Sequence, residues 1–511
     1  MTINWRYAAL SCFLICATTS GANAFELALP ASKMHRSDLS EKDKLRVKTF
    51  TTALMDFSAP EPFEAMSGGA ATAKPDLTRN AFSAFSSNIT FDQQLTFTLG
   101  NALFDKLWVS SPSSTLASDG LGPLFNARSC SSCHIRDGRG QPPELDGNSV
   151  SMLLRLARNA KTPEESAAVS SGHILNVPDP VYGGQLQDLA VSGLAGEGKL
   201  SVRYTEMPLT FPDGSIVNVR KPVYAVNSLK YGALHSDTTI SPRIAQPMIG
   251  LGLIEAIHEA DIAAIADPDD ANKDGISGRM ALVQRDAGET QLGRFGWKAQ
   301  NANVRSQSAE AFNGDIGIST PANTANYGDC TKPQSACFEM ASGEQGKLGP
   351  TEAPDPVLEL VTFYSKNLAV PPRRDVASAD VLRGKELFHL NGCASCHTPK
   401  FVTRRDADDP AQAFQLIWPY SDFLLHDMGE GLSDGQQVGL AYGTEWRTPP
   451  LWGIGLTKAV SGHTFFLHDG RARNLEEAIL WHNGEAQSSR LAYMSSLKAN
   501  RDALLRFLES L

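Results

Sequence analysis

Two stretches far apart in the chain place apolar residues at helical spacing and carry a glycine four positions before a phenylalanine. The first is Leu95-Thr96-Phe97-Thr98-Leu99-Gly100-Asn101-Ala102-Leu103-Phe104, and the second is Ala379-Asp380-Val381-Leu382-Arg383-Gly384-Lys385-Glu386-Leu387-Phe388. The spacing predicts an amphipathic helix in each. A glycine at that position lets another helix approach closely. A partner for the later helix is visible in Arg501-Asp502-Ala503-Leu504-Leu505-Arg506-Phe507-Leu508, again with apolar residues at helical spacing. Between these segments the pattern changes. Val202 to Tyr204, Ile216 to Val219 and Val223 to Val226 read as short strands between turn signals such as Pro212-Asp213-Gly214. The region from about 313 to 352 is rich in Gly, Ala, Ser, Thr and Pro and predicts a long loop. Pro371-Pro372-Arg373-Arg374 reads as a linker. At the start, Arg6 precedes an apolar run from Tyr7 to Ala17 and the small-x-small signal Ala22-Asn23-Ala24. This predicts a signal peptide over residues 1–24. The apolar run is too short to cross a bilayer, and the later sequence predicts no membrane span.

Cysteine counting adds the chemistry. Of eight cysteines, Cys12 and Cys16 lie in the leader and Cys330 and Cys337 in the long loop. The other four form Cys130-Ser131-Ser132-Cys133-His134 and Cys393-Ala394-Ser395-Cys396-His397. Each is C-x-x-C-H, the attachment pattern of a c-type haem. The two thiols add across the haem vinyl groups and the adjoining histidine supplies the proximal iron ligand. Roughly 0.003 such pentapeptides are expected by chance from this composition. The sequence therefore predicts two covalently bound haem c groups. Covalent haem and export together predict the periplasm, reached through the Sec pathway. That compartment favours disulfides. A bridge between Cys330 and Cys337 would close a short loop and contribute about 2.5 kcal/mol on the chain-entropy estimate. Their C-x6-C spacing is not that of a thioredoxin-like pair, and a redox-active thiol pair is the alternative.

With haem in place, the fold expectation sharpens. The chain's 511 residues are too many for one core. The expected class is mainly α: two cytochrome c-like helical domains with an inserted segment containing some short antiparallel β. The first domain would span residues 25–370, with the insertion at about 145–290, and the second residues 375–511. Removing the leader takes Arg6 from the 46 Lys and Arg that face 56 Asp and Glu, so the net charge moves from −10 to near −11. That balance argues against nucleic acid and suits a small cationic redox protein as electron donor or acceptor.

Each haem needs a second axial ligand or an open position. The C-terminal region offers His426, His463, His468, His482 and Met428, and sequence chemistry does not choose among them. For the first haem, His173, His235 and His258 are open candidates. The run Arg447-Thr448-Pro449-Pro450-Leu451, then Phe466-Leu467-His468-Asp469-Gly470, then Leu475-Glu476-Glu477-Ala478-Ile479-Leu480-Trp481-His482 resembles the C-terminal signature of bacterial dihaem cytochrome c peroxidases. In that family the residue ending the helix after the H-D-G turn is the distal ligand of the electron-transferring haem. The matching position is His482, which implies bis-His ligation by His397 and His482.

Upstream, Phe295-Gly296-Trp297-Lys298-Ala299, Gln307 and Asn313-Gly314-Asp315-Ile316-Gly317 are similar to the family's stretch with an inter-haem Trp, a distal-pocket Gln and an acid. The resemblance implies that Trp297 relays electrons between the haems and that Gln307 and Asp315 serve the peroxide-binding face of haem 1. A base moves a proton from the inner to the outer peroxide oxygen, and a donor stabilises the leaving hydroxide. The acid here is Asp where the family has Glu, roughly 1.5 Å shorter. Gln185, Gln187 and Glu197 form the runner-up set.

The segment Tyr420 to Gly429, the segment Glu445 to Pro450 and the turn His468-Asp469-Gly470-Arg471-Ala472 resemble hallmarks of a dihaem oxidoreductase group sometimes labelled thiol oxidoreductases. Dihaem peroxidases also hold a calcium ion. Asp270-Ala271-Asn272-Lys273-Asp274-Gly275 matches the start of a calcium loop, but Ala281 stands where the twelfth-position Glu belongs. The expected function is a periplasmic dihaem oxidoreductase, peroxidase-like, acting on peroxide or oxygen. The alternatives are a non-catalytic electron-transfer cytochrome and thiol redox chemistry at Cys330 and Cys337.

Overall fold

The computed structural model describes residues 27–143, 150–284 and 288–511. The expected leader, with Cys12 and Cys16, lies outside the described residues. Two helix crossings organise the molecule. Helix Phe91–Phe104 begins at a capping box formed by Thr90 and Gln93, which satisfies end N–H groups that have no partner inside the helix. It crosses helix Asp355–Asn367 at Gly100, where a Cβ would lie 2.3 Å from the Leu360 carbonyl oxygen. Helix Ala379–Leu390 crosses Lys498–Ser510 in the same manner, and a Cβ on Gly384 would lie 2.0 Å from the Ala503 carbonyl oxygen. Both contacts are with backbone, so only glycine fits.

The mainly-α expectation is not what the chain adopts. The fold is 31% helix and 16% strand, so the helices are the minority of a mixed structure. Six two-stranded antiparallel sheets occur among the described residues. Strand was expected in the insertion alone. It also appears in the C-terminal region, where Phe401–Val402 pairs with Leu416–Ile417 and Leu425–Asp427 pairs with Glu445–Arg447. The physical reason lies in the 42 glycines and 29 prolines, which break helices and favour turns between short extended pairs.

The longest sheet element is a hairpin of Lys199–Thr210 with Ile216–Asn227. It leans on the C-terminal half. Tyr224 Oη donates to Asp469 Oδ2 at 2.9 Å, Arg220 donates to the Gly470 and Arg471 carbonyls, and Arg501 pairs with Asp213 at 2.7 Å. The hairpin therefore holds the H-D-G turn from outside. In the loop after residue 313, Cys330 and Cys337 form a disulfide with Cα atoms 6.4 Å apart. Among the described residues, no helix is long and apolar enough to cross a membrane.

Candidate functional site

Two large cavities each contain one C-x-x-C-H turn. Counting the open solvent at its mouth, the first encloses about 1610 Å³ of space free of protein atoms and the second about 1400 Å³. In the first, a tight turn brings the Cys133 and His134 N–H groups onto the Cys130 carbonyl, both at 3.1 Å. This puts both thiols and the imidazole on one cavity wall. His134 Nδ1 donates to the Gln246 carbonyl at 2.8 Å. That bond fixes the ring and leaves Nε2 free to serve as a ligand atom. Burial lowers its pKa to about 4, so the imidazole is neutral, as metal ligation demands.

Trp297, Gln307 and Asp315 line this same cavity. Gln307 lies on helix Val304–Ala311, which Asn303 caps, and that helix runs into a π-helical turn, Phe312–Ile316, carrying Asp315. Such wide turns recur at functional sites because they re-aim one side chain. Gln307 Oε1 accepts from Asn301 Nδ2 at 3.1 Å, which leaves its Nε2–H to donate. Asp315 Oδ1 accepts from Gln185 Nε2 at 2.9 Å. Burial raises the Asp315 pKa, against the opposing effects of Arg155 and that hydrogen bond.

The runner-up residues divide. Gln185 touches Asp315 directly. Gln187 Nε2 donates to the Gly314 carbonyl at 2.7 Å. Glu197 does not line the cavity; it accepts from the Gln187 N–H and from Gln334, and burial pushes its pKa up to about 8. His173, His235 and His258 do not line the cavity either, and His134 is the one histidine there among the described residues. His258 caps a short helix at Ala260 N instead.

In the second cavity, His397 Nδ1 donates to the Tyr420 carbonyl at 2.9 Å. Tyr420 is held at φ 52. His482 ends helix Leu475–Trp481, and its Nδ1 donates to the Ala478 carbonyl at 2.7 Å. It shares the cavity with His397, close enough that a charge on His482 depresses the His397 pKa, which burial chiefly sets at about 4. Hydrogen bonding sets His426 and His463 apart from the other ligand candidates. His426 has Nε2 on Asp422 at 2.8 Å and Nδ1 on Glu485 at 2.6 Å. Burial opposes its charge, but these partners outweigh burial and hold its pKa well above the ordinary value. No nitrogen remains for iron. His463 uses Nε2 on the Arg139 carbonyl. His468 bonds the Pro242 carbonyl through Nδ1, and its buried Nε2 has no partner. Its ring stacks on Trp446, with centroids 3.9 Å apart. Met428 also lines the cavity. Cys396, Asp422 and His426 bring ligand atoms within 4.8 Å of one another, but His426 has spent both nitrogens on the carboxylates.

The cavities share a wall. Trp297, Arg139, Arg447 and Pro449 line both. Trp297 sits in a tight loop closed by Phe295 N and Asn301 O at 2.9 Å. Its Nε1 donates to the Ile244 carbonyl at 2.9 Å, and its own carbonyl accepts from Arg447 N at 3.0 Å. Sequence reasoning did not single out Arg139 or the Gln246 and Tyr420 carbonyls. An isolated arginine and a backbone oxygen carry no spacing signal. The calcium-like loop spends its oxygens on itself: Asp270 accepts from Gly275 N, Asn272 from Asp274 N and Asp274 from Ile276 N.

Paired thiols and a neutral imidazole in each of two adjoining cavities suit two haems, and a carboxylate and an amide at one of them suit redox chemistry on a small oxidant. The class so defined is a di-haem oxidoreductase. Residues 63–511 match the family described as "Di-haem oxidoreductase, putative peroxidase", and the chain belongs to that family. A search of curated proteins finds no match.

Proposed function

We propose that this protein is a periplasmic di-haem c-type oxidoreductase with peroxidase-like activity. The observation that carries the proposal is the shared wall: Trp297 borders both cavities, while Gln307 and Asp315 border only the first. Haem, once bound, supplies the iron at which peroxide or oxygen is reduced and the store of electrons for doing so. Cys130 and Cys133 would hold one haem through thioethers and Cys393 and Cys396 the other, with His134 and His397 supplying an imidazole to each iron. His482 would give the second site a second imidazole, and that site would then transfer electrons without taking substrate. Among the described residues, His134 is the one histidine and Met248 the one methionine that line the first cavity, and in the proposed reading that site is open to substrate.

Asp315 holds the mobile proton, taking it from one peroxide oxygen at a carboxylate oxygen and returning it to the other. Gln307 Nε2 donates to the departing oxygen. Trp297 shortens the path for electrons between the sites, and its buried, hydrogen-bonded indole is rigid. The acidic surface suits a small cationic electron donor, and nucleic acid is not a partner.

Electron paramagnetic resonance of the oxidised protein is the test. One high-spin ferric haem that binds cyanide, beside one low-spin haem, is the expected result. Two low-spin haems that ignore cyanide and peroxide, even after half-reduction, overturn the proposal in favour of a non-catalytic electron carrier.

A further inference from the structure

Ten Lys and Arg side chains are buried among the described residues. Eight have a carboxylate within 4.0 Å: Lys385, Lys400 and Arg373 use Glu61 or Glu64, Lys298 and Arg243 share Asp434, and Arg294, Arg471 and Arg501 use Glu259, Asp469 and Asp213. A buried cation without an anion is costly, and these eight follow that rule. Arg139 and Arg447 do not. Arg139 is 8% exposed and Arg447 3% exposed. Among the described residues, neither has a carboxylate within ion-pair distance.

Arg447 spends its donors on neutral oxygens: the Gly296 carbonyl, the Thr448 carbonyl and Gln246 Oε1. Arg139 gives one bond, to the Leu467 carbonyl at 3.2 Å, and its buried Nε has no partner. The guanidinium lies 5.6 Å from the Trp297 ring and 5.7 Å from the Phe466 ring. These are the two arginines that border both cavities. Asp422 acts on Arg447 only from beyond ion-pair distance, and both guanidinium groups border space that an anionic occupant of the cavities would share.

We propose that Arg139 and Arg447 form a carboxylate-binding site in the wall between the cavities, and that its ligands are haem propionates, with Arg139 shared by both haems. The inference rests on the reading that each cavity holds a haem. Propionates are the ionised groups of that cofactor, and guanidinium Nε and Nη donors match a carboxylate. Two consequences follow. The propionates stay ionised in the interior, and one cation influences both irons. A positive charge near an iron favours the reduced state, so it raises both midpoint potentials.

The test is potentiometry at pH 8 on R139Q, R139K and the exposed control R506Q. Preparations are first matched to the wild type for two covalent haems per chain by pyridine haemochromogen spectra. If the wild type lacks those haems, the haem reading fails and the propionate assignment falls with it, a result distinct from loaded protein whose potentials do not move. R139Q is expected to lower both midpoints, R139K to stay close to the wild type, and R506Q to change neither. A merely structural role would lower thermal stability and leave both potentials in place. That outcome overturns the proposal. If R139Q does not load two haems, a crystal structure of the wild-type holoprotein decides. A propionate oxygen within about 3 Å of Arg139 Nε supports the proposal. Propionates directed to other donors or to solvent overturn it.

Discussion

Asp315→Asn separates the proposed proton carrier from its surroundings. Asn is nearly isosteric with Asp, so the cavity wall and the π-helical turn keep their shape. The backbone carbonyl of residue 315 still accepts from Asn126 N at 2.9 Å and Ala127 N at 3.0 Å. The one side-chain bond at stake is that from Gln185 Nε2 at 2.9 Å. Losing a hydrogen bond to a charged acceptor costs about 1.5–3 kcal/mol. Removing a buried carboxylate whose pKa burial has raised returns part of that, so the net change in stability should be within about 1 kcal/mol. Catalysis should respond far more. A positioned base supplies about 10²–10⁴-fold, which is about 2.7–5.5 kcal/mol of barrier. The assay is steady-state hydrogen peroxide turnover with a reduced donor from pH 5 to 9, with both haems verified spectroscopically. The sign of the pH effect follows from the raised pKa. The base form is lost at a higher pH than for an ordinary aspartate, so wild-type turnover falls on the acid side and D315N loses that limb. Turnover of D315N within about threefold of wild type, with the acid limb intact, refutes the assignment.

His482→Met replaces one of two proposed imidazoles with a thioether, so the potential of the second haem should rise; an unchanged potential means another residue ligates that iron. Gly384→Ala forces a Cβ to 2.0 Å from the Ala503 carbonyl oxygen and should cost about 3 kcal/mol in chemical denaturation; a loss below about 1 kcal/mol shows that the helices can slide apart. Glu197, whose pKa burial pushes up to about 8 from the ordinary carboxylate range, keeps its proton in the folded state while the unfolded chain releases it. Stability should therefore fall as pH rises from about 5 to 8, by up to about 1.4 kcal/mol per unit, and E197Q should flatten that slope in thermal melts. Cys330→Ser opens the disulfide, which should lower stability by about 2.5 kcal/mol and leave peroxide turnover unchanged; lost turnover would restore the thiol-redox alternative.

Local covalent patterns were the legible part of this chain. Two pentapeptides carried the proposed haem attachments because three reactive atoms must come from one turn, and a turn is encoded in consecutive residues. Gly100 and Gly384 were readable for a similar reason: one missing side chain per helix face is visible against its helical period. The expected leader rests on its charge, apolar run and small residues, and lies outside the described residues.

Secondary structure was misjudged where local signals are weak. Strand pairs such as Leu425–Asp427 with Glu445–Arg447 are too short to show a period, and only contact with a partner strand stabilises them. The candidate site shows the same division. Trp297, Gln307 and Asp315 could be named from resemblance, but Gln185, 130 residues from Asp315, joins that carboxylate only through folding. His426, His463, His468 and His482 were equivalent as letters. Hydrogen bonds to Asp422 and Glu485 occupy both nitrogens of His426, and the Arg139 carbonyl holds Nε2 of His463, whereas His468 and His482 each bond a carbonyl through Nδ1. The sequence by itself determined which attachment pattern this protein carries, because that pattern needs only neighbours along the chain. The tertiary structure alone decided that two such sites share a wall with Trp297, Arg139 and Arg447, because burial and charge pairing are properties of the space between distant segments.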